Sequence, residues 1–365
     1  MKQYQGIGLL SGTSMDGLDI VCCSFSEKEN EEYSFEIVAS QHLPFEEKWL
    51  ARLKYVMSQN AETYAKTDVY FGHWLGQQVK AFIEKYKLTP DYVASHGQTI
   101  FHQPHKSFTA QIGDGESMVS YLNCPLVSNF RNKDVALKGQ GAPLVALGEK
   151  YLFPSDHIYL NLGGFSNITF GERAFDVSPC NIVLNYIVKE FLEDQDFDDG
   201  GKLAASGSLD AELLAALNEL PYYHQKFPKT LGWEWVRDEF LPILADKSPE
   251  FTKTLHTLVV HIAQHIAQAV VELEAHNKPM FITGGGRHNT FLLEKITEAV
   301  APYRVSIDRS LSDEMVDFKE AIIFAFLGLR VLTGKATTLP STTGASMAAP
   351  CGSIHLPAHG GYAIL

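Results

Sequence analysis

The chain has 365 residues, 45% of them hydrophobic and 20% charged, and a formal net charge of −13; this excludes a disordered or membrane-spanning chain and fits two domains of ordinary size. The acidity disfavours nucleic acid or an anionic membrane as partner, and a start without a signal peptide's charged-then-apolar layout makes the cytoplasm the expected location. Five cysteines without a C-x-x-C pair fit neither a disulfide framework nor a zinc site, so Cys22, Cys23, Cys124, Cys180 and Cys351 are expected as small buried apolar residues.

Apolar runs at 5–12 and 19–25 predict paired strands around one polar turn, and 33–38 adds a third. The turn, Ser11, Gly12, Thr13, Ser14, Met15, Asp16, Gly17, Leu18 and Asp19, concentrates hydroxyls, glycines and carboxylates between two apolar segments. Glycines there let backbone N–H groups approach an anion, hydroxyls can donate to phosphate oxygens, and a carboxylate such as Asp16 can hold hydrated magnesium. An ordinary hairpin turn is the alternative to this phosphate-binding reading, since these residues favour turns anyway.

Helical spacing follows at 46–58 and 61–86, then strands near 92–95, 108–112 and 125–128, with a short helix between the last two. The opening theme returns as a strand at 157–162, the turn Gly163, Gly164, Phe165, Ser166 and Asn167, and a strand at 168–170. Asp176 ends the next apolar piece, and a helix begins after Pro179. A long helix at 250–276 precedes a strand at 279–283, which ends in Gly284, Gly285 and Gly286; a further helix opens at Asn289. The last long helix is expected at 312–333, with Glu320 near its middle and an apolar face suited to a homodimer contact or to the core. Two halves that open alike predict two similar domains, 1–142 and 143–365, facing each other across a cleft.

No Walker loop or dinucleotide fingerprint accounts for the glycines. Three separate glycine turns, each at a strand's carboxyl end, suit a nucleotide clamped between two domains. The polar loops between the first two, with His96, Gln98, Arg131 and Gln140, suit a sugar whose hydroxyls need directional partners, and Arg131 can pair with a carboxylate. Each of these residues has a local alternative, tying its loop to the backbone. Asp176 is the candidate general base, with capping of the next helix as the alternative. The spacings His261/His265 and His96/His102 lack a third ligand and are set aside as metal sites.

Taken in order, Ser11-Gly12-Thr13-Ser14-Met15-Asp16-Gly17, Ser95-His96-Gly97-Gln98-Thr99, Gly139-Gln140-Gly141-Ala142-Pro143, Asn161-Leu162-Gly163-Gly164 and Gly284-Gly285-Gly286 before His288-Asn289 resemble anhydro-N-acetylmuramic acid kinases, over residues 7–355. The resemblance implies an α/β fold of two ribonuclease H-like domains around an ATP cleft, as in the sugar kinase, heat-shock ATPase and actin superfamily. It implies that ATP, Mg²⁺, water and 1,6-anhydro-N-acetylmuramic acid give N-acetylmuramic acid 6-phosphate and ADP in peptidoglycan recycling. The family's ATP loop falls on Gly12 to Asp19, its catalytic aspartate on Asp176, and a sugar-holding glutamate on Glu320. Asp176-Val177-Ser178-Pro179-Cys180-Asn181 departs from the family's Asp-Thr-Gly-Pro-Gly-Asn, Lys138 stands where a glycine is usual, and Lys229-Thr230-Leu231-Gly232 matches loosely. A conventional amino-sugar kinase of the same fold and an idle sugar or ATP sensor are the competing expectations.

Overall fold

The computed structural model describes residues 2–358 except Thr13, Ser14, Asp16, Pro228, Ser248 and Pro249. In chain order its strands are β1 (Lys2–Ser11), β2 (Gly17–Glu27), β3 (Tyr33–Pro44), β4 (Tyr92–Ser95), β5 (Gln98–Gln103), β6 (Phe108–Ile112) and β7 (Leu126–Ser128). Then follow β8 (Ile158–Leu162), β9 (Phe165–Phe170), β10 (Arg173–Pro179), β11 (Pro279–Thr283), β12 (Ser306–Asp308) and β13 (Ser353–His355). They divide between two compact units, residues 1–154 with 313–365, and residues 155–312.

The first unit is built on a six-stranded sheet of order β13-β7-β4-β1-β2-β3. β1, β2 and β3 form an antiparallel meander, while β4 and β7 run parallel to β1. The central strands are buried on both faces and so read as nearly unbroken apolar runs, whereas the edge strand β3 alternates. Ile7, Leu9, Leu18 and Ile20 share one face with Phe71, Leu75, Val79 and Phe82 of the helix Ala61–Tyr86. That helix starts where the Asn60 side chain accepts from the Thr63 N–H at 2.9 Å.

On the other face lies the helix Lys319–Leu332, every residue of which is buried except Glu320. It is core, with no apolar face left over for a second copy. It lies so close that a Cβ on Gly8 would stand 2.0 Å from the Ala321 carbonyl oxygen, and one on Gly328 would stand 2.6 Å from the Ala94 Cβ. This contact groups residues 313–365 with the first unit, where the sequence suggested a second domain running to the end. The expected single helix is also two, Asp313–Asp317 and Lys319–Leu332, so Glu320 stands in a first turn and not mid-helix.

The second unit repeats the pattern as a five-stranded sheet, β10-β9-β8-β11-β12, with an antiparallel β8–β9–β10 meander and β11 and β12 parallel to β8. Each sheet thus orders its first five core strands 3-2-1-4-5, the α/β arrangement expected of a ribonuclease H-like domain. Its core gathers the helices Asn181–Phe191, Phe251–Glu272 and Thr290–Val300. All five cysteines are buried, as their surroundings suggested, and burial pushes the Cys22 and Cys180 thiols up to about 12. No helix among the described residues is long and apolar enough to cross a membrane.

The histidine pair His261 and His265 belongs to this core. His261 bonds Asn218 Oδ1 at 2.8 Å and Tyr223 Oη at 2.9 Å, His265 bonds Asn218 Oδ1 at 3.0 Å, and Tyr223 stacks on His265 at 3.8 Å. Burial drives the His261 pKa well down and that of His265 to about 4; in the first unit burial takes His102 to about 4 as well. As pH falls below the ordinary value near 6.5, the unfolded chain takes up protons that these folded imidazoles refuse. Stability should therefore drop from pH 7 to pH 5 by roughly 2 kcal/mol per histidine. Asp210, held low by the Leu213 N–H, and Asp308, held low by His157, act only below the ordinary carboxylate pKa. Equal urea-unfolding free energies at pH 7 and pH 5 would refute this.

Candidate active site

In the first unit, the polar residues expected to meet a sugar cluster at the carboxyl ends of β1 and β4. The backbone N–H of His96 bonds the Leu9 carbonyl oxygen at 3.1 Å, and the Ser11 hydroxyl donates to Gln98 Oε1. The Gln98 amide nitrogen is buried and has no partner among the described residues. A buried donor left in this state is costly, so Gln98 has capacity that a ligand acceptor would satisfy. His96 is buried against Phe324, with ring centroids 4.7 Å apart, and burial holds its pKa well down. Its Nδ1 faces the Gly97 carbonyl oxygen at 2.9 Å, so Nε2 accepts from Arg131 Nε at 3.0 Å. Arg131 Nη1 also donates to the Gly141 carbonyl oxygen at 2.6 Å.

The Gly139–Gly141 loop is fixed from below by Asp134, whose Oδ2 accepts from the Gly141 N–H at 2.7 Å and whose Oδ1 accepts from Thr343 at 2.8 Å. Gln140 is held through its backbone, donating to the Thr343 carbonyl oxygen at 2.7 Å. Asp134 and Thr343 were not anticipated, because neither carries a motif. Glu320 is half-buried; burial pushes its carboxyl up, Lys319 and Arg131 pull it down, and Glu149 and Asp19 raise it further. Glu320 therefore feels the charges of both Arg131 and Asp19. Asp19 itself bonds His42 Nδ1 at 2.7 Å.

Of the first glycine turn, Thr13, Ser14 and Asp16 lie outside the described residues. Met15 takes a left-handed conformation, φ 56°, and its N–H bonds the Gly12 carbonyl oxygen at 3.2 Å. Leu18 is core, and Gly17 lies so close to β3 that a Cβ would meet the Leu43 carbonyl oxygen at 2.4 Å.

In the second unit the two other glycine turns come together, because β8 and β11 are parallel neighbours. Gly284, at φ 83°, packs against the end of β8, where a Cβ would stand 2.4 Å from Asn161 Oδ1. A Cβ on Gly286 would stand 2.7 Å from that of Leu162. Asn181 ties the turns by donating from Nδ2 to the Leu162 carbonyl oxygen at 2.9 Å. Gly163 and Gly164 differ: at neither would a Cβ approach any protein atom closer than 3.4 Å, and neither has positive φ. The fold does not require glycine there, whereas a ligand lying against the backbone would. Asn289 caps the helix Thr290–Val300, its Oδ1 accepting from the Leu292 N–H at 2.9 Å, and lies against Gly201, where a Cβ would come within 2.1 Å.

Asp176 lies in β10 at a register shift between Asp176 and Ser178. Such a bulge breaks the ladder locally and re-aims side chains. The half-buried carboxylate accepts from the Leu231 N–H at 2.8 Å. The Asp176 N–H donates to the Lys229 carbonyl oxygen at 3.2 Å, and the Tyr222 hydroxyl donates to the Asp176 carbonyl oxygen. The next helix, Asn181–Phe191, has Cys180 at its N-cap position, so Asp176 does not occupy the capping position that was its alternative role.

The family profile described as anhydro-N-acetylmuramic acid kinase matches residues 4–357. The chain belongs to the anhydro-N-acetylmuramic acid kinase family. A protein of that name from Coxiella burnetii (strain Dugway 5J108-111) is 32% identical, aligning 97% of this chain and 98% of its own. Namesakes from Pseudomonas syringae pv. tomato and Shewanella oneidensis are each 32% identical, over 96% of this chain and 98% of theirs.

Two departures from the family pattern have a structural reading. Lys138 adopts φ 72° after the helix Asn132–Ala136, a conformation that favours the glycine usual at this position. Ser178 is fully buried and its hydroxyl lies 3.0 Å from that of Ser166, so it is used inside the β9–β10 hairpin.

Proposed function

We propose that this chain couples hydrolytic opening of 1,6-anhydro-N-acetylmuramic acid to phosphorylation at O6, giving N-acetylmuramic acid 6-phosphate and ADP. The match to the family over residues 4–357 is the main support. Asp176, fixed at its bulge, accepts a proton from water as the water oxygen attacks C1. The C1–O6 bond breaks with its electron pair going to O6, which attacks the γ-phosphorus in line while the bond to the ADP oxygen breaks.

In this reading Arg131, braced by His96 and Gly141, receives the lactyl carboxylate. Gln98 and Glu320 hold the sugar, with Gln140 beside them. The open backbone at Gly163 and Gly164 takes phosphate oxygens, and the Gly284–Gly286 turn with Asn289 borders the nucleoside. Asp16, outside the described residues, is the carboxylate expected beside magnesium, whose other ligands would be phosphate oxygens and water. When bound, the ion neutralises developing phosphoryl charge. Because ATP is the phosphoryl donor, the cytoplasm is where the reaction belongs.

The test is a reaction with ATP, Mg²⁺ and the anhydro-sugar in ¹⁸O-water, read by mass spectrometry. The expected product is 6-phosphorylated and carries label at C1. Phosphorylation only of open N-acetylmuramic acid or N-acetylglucosamine would reassign the chain as a conventional amino-sugar kinase. ATP binding without turnover of any of these sugars would make it a sensor.

A further inference from the structure

Lys229 is a lysine in an unexpected place. It is buried, its Nζ stands 5.1 Å from the ring centroid of Tyr222 and 5.2 Å from that of Phe175, and it donates to the Gln225 carbonyl oxygen at 3.0 Å. The nearest carboxylate, Glu272, is 4.0 Å away, and burial lowers the lysine pKa against the pull of Glu272. His265 also feels its charge. A cation kept out of water on so little compensation costs stability, and the two rings it faces, Phe175 and Tyr222, lead to Asp176. Phe175 precedes Asp176 in β10, Tyr222 donates to the Asp176 carbonyl oxygen, and the Lys229 carbonyl and the Leu231 N–H bond the Asp176 N–H and Oδ2. β10 is the edge strand of its sheet and its register to β9 shifts just after Asp176, so these contacts from 46 to 55 residues away hold the backbone groups that face away from β9.

We propose that Lys229 is a positioning residue: its ammonium group locks Tyr222 and the 229–231 segment into a frame that aims the Asp176 carboxylate. This rests on Asp176 being the base of the proposed reaction. The cation holds two aromatic faces and one carbonyl, the frame holds the backbone of Asp176 on both sides and one carboxylate oxygen, and misplacement by about 1 Å costs on the order of a hundredfold in rate.

The experiment compares wild type, Lys229→Met, Lys229→Arg, Tyr222→Phe and the Lys229→Met/Tyr222→Phe double variant by steady-state kinetics with ATP and the anhydro-sugar. Lys229→Met keeps the aliphatic stem and should lower kcat about 10- to 100-fold with both KM values within about twofold. Lys229→Arg should recover much of the loss, and Tyr222→Phe should reproduce it. The double variant should be no worse than the poorer single one, because both residues act through one frame. Wild-type kcat in Lys229→Met, or losses that multiply in the double variant, would overturn the proposal. Should Lys229→Met fail to fold, Tyr222→Phe, which removes one oxygen, carries the test: an unchanged kcat overturns the frame. A wild type that turns over no anhydro-sugar overturns the kinase reading and this inference together, whereas activity lost in Asp176→Asn but kept in Lys229→Met overturns only the latter.

Discussion

Asp176→Asn should lower kcat by about three orders of magnitude while leaving folding and ATP affinity unchanged. The substitution is nearly isosteric, and an asparagine oxygen can still accept from the Leu231 N–H that now bonds Oδ2 at 2.8 Å. The backbone contacts from Lys229 and Tyr222 involve atoms that the substitution does not alter. What disappears is the capacity to take a proton from the attacking water in the transition state. Because that interaction strengthens only as the proton moves, KM for either substrate should change little. Labelled product in ¹⁸O-water measures the chemistry, nucleotide titration the binding, and thermal melting the fold. A variant within tenfold of wild-type kcat would remove Asp176 from the role of base, and a loss of ATP affinity matching the loss of rate would make it a binding residue.

The parts legible in the sequence were those with local causes. A strand that breaks for a polar turn and resumes marks both hairpins, and the helix Ala61–Tyr86 follows from its spacing, the cap at Asn60 emerging only in the structure. β5 was missed because Gln98, Thr99, His102 and Gln103 give it no apolar alternation, and β12 and β13 because three residues carry no period. The break at Phe318 was invisible, since helical spacing continues across it. The grouping of residues 313–365 with the first unit depends on Gly8 and Gly328 admitting a helix to the sheet, through contacts with Ala321 and Ala94 that each span more than 200 positions. Around the candidate base the limit is sharper. Its partners include a backbone carbonyl and a backbone amide, groups that every such segment possesses, so no residue pattern announces them. The loose family match at Lys229-Thr230-Leu231-Gly232 was the only hint that this stretch has a task.

Lys319→Met should destabilise the first unit by about 3–5 kcal/mol. Lys319 Nζ lies 2.7 Å from Glu149 Oε1, both side chains are 3% exposed, and Glu149 Oε2 has no partner among the described residues. Without the lysine, a carboxylate already short of one hydrogen bond is left charged in a poorly polarisable surrounding. Urea unfolding followed through Trp49 and Trp74, the first unit's two tryptophans, measures the loss. One further result separates the charge from mere packing. Removing both charges in Lys319→Met/Glu149→Leu should recover most of the loss, because an apolar pair of similar volume replaces a pair whose desolvation nearly cancels its attraction. If the double variant is as unstable as the single one, packing of the lysine stem and not its charge is what matters. The pair joins the helix Val145–Leu152 to the first turn of Lys319–Leu332, the turn that carries Glu320. Lys319 also holds the Glu320 carboxyl down against its burial while Glu149 pushes it up, so the single variant should carry a second effect, a higher pKa at Glu320, that the double variant offsets in part.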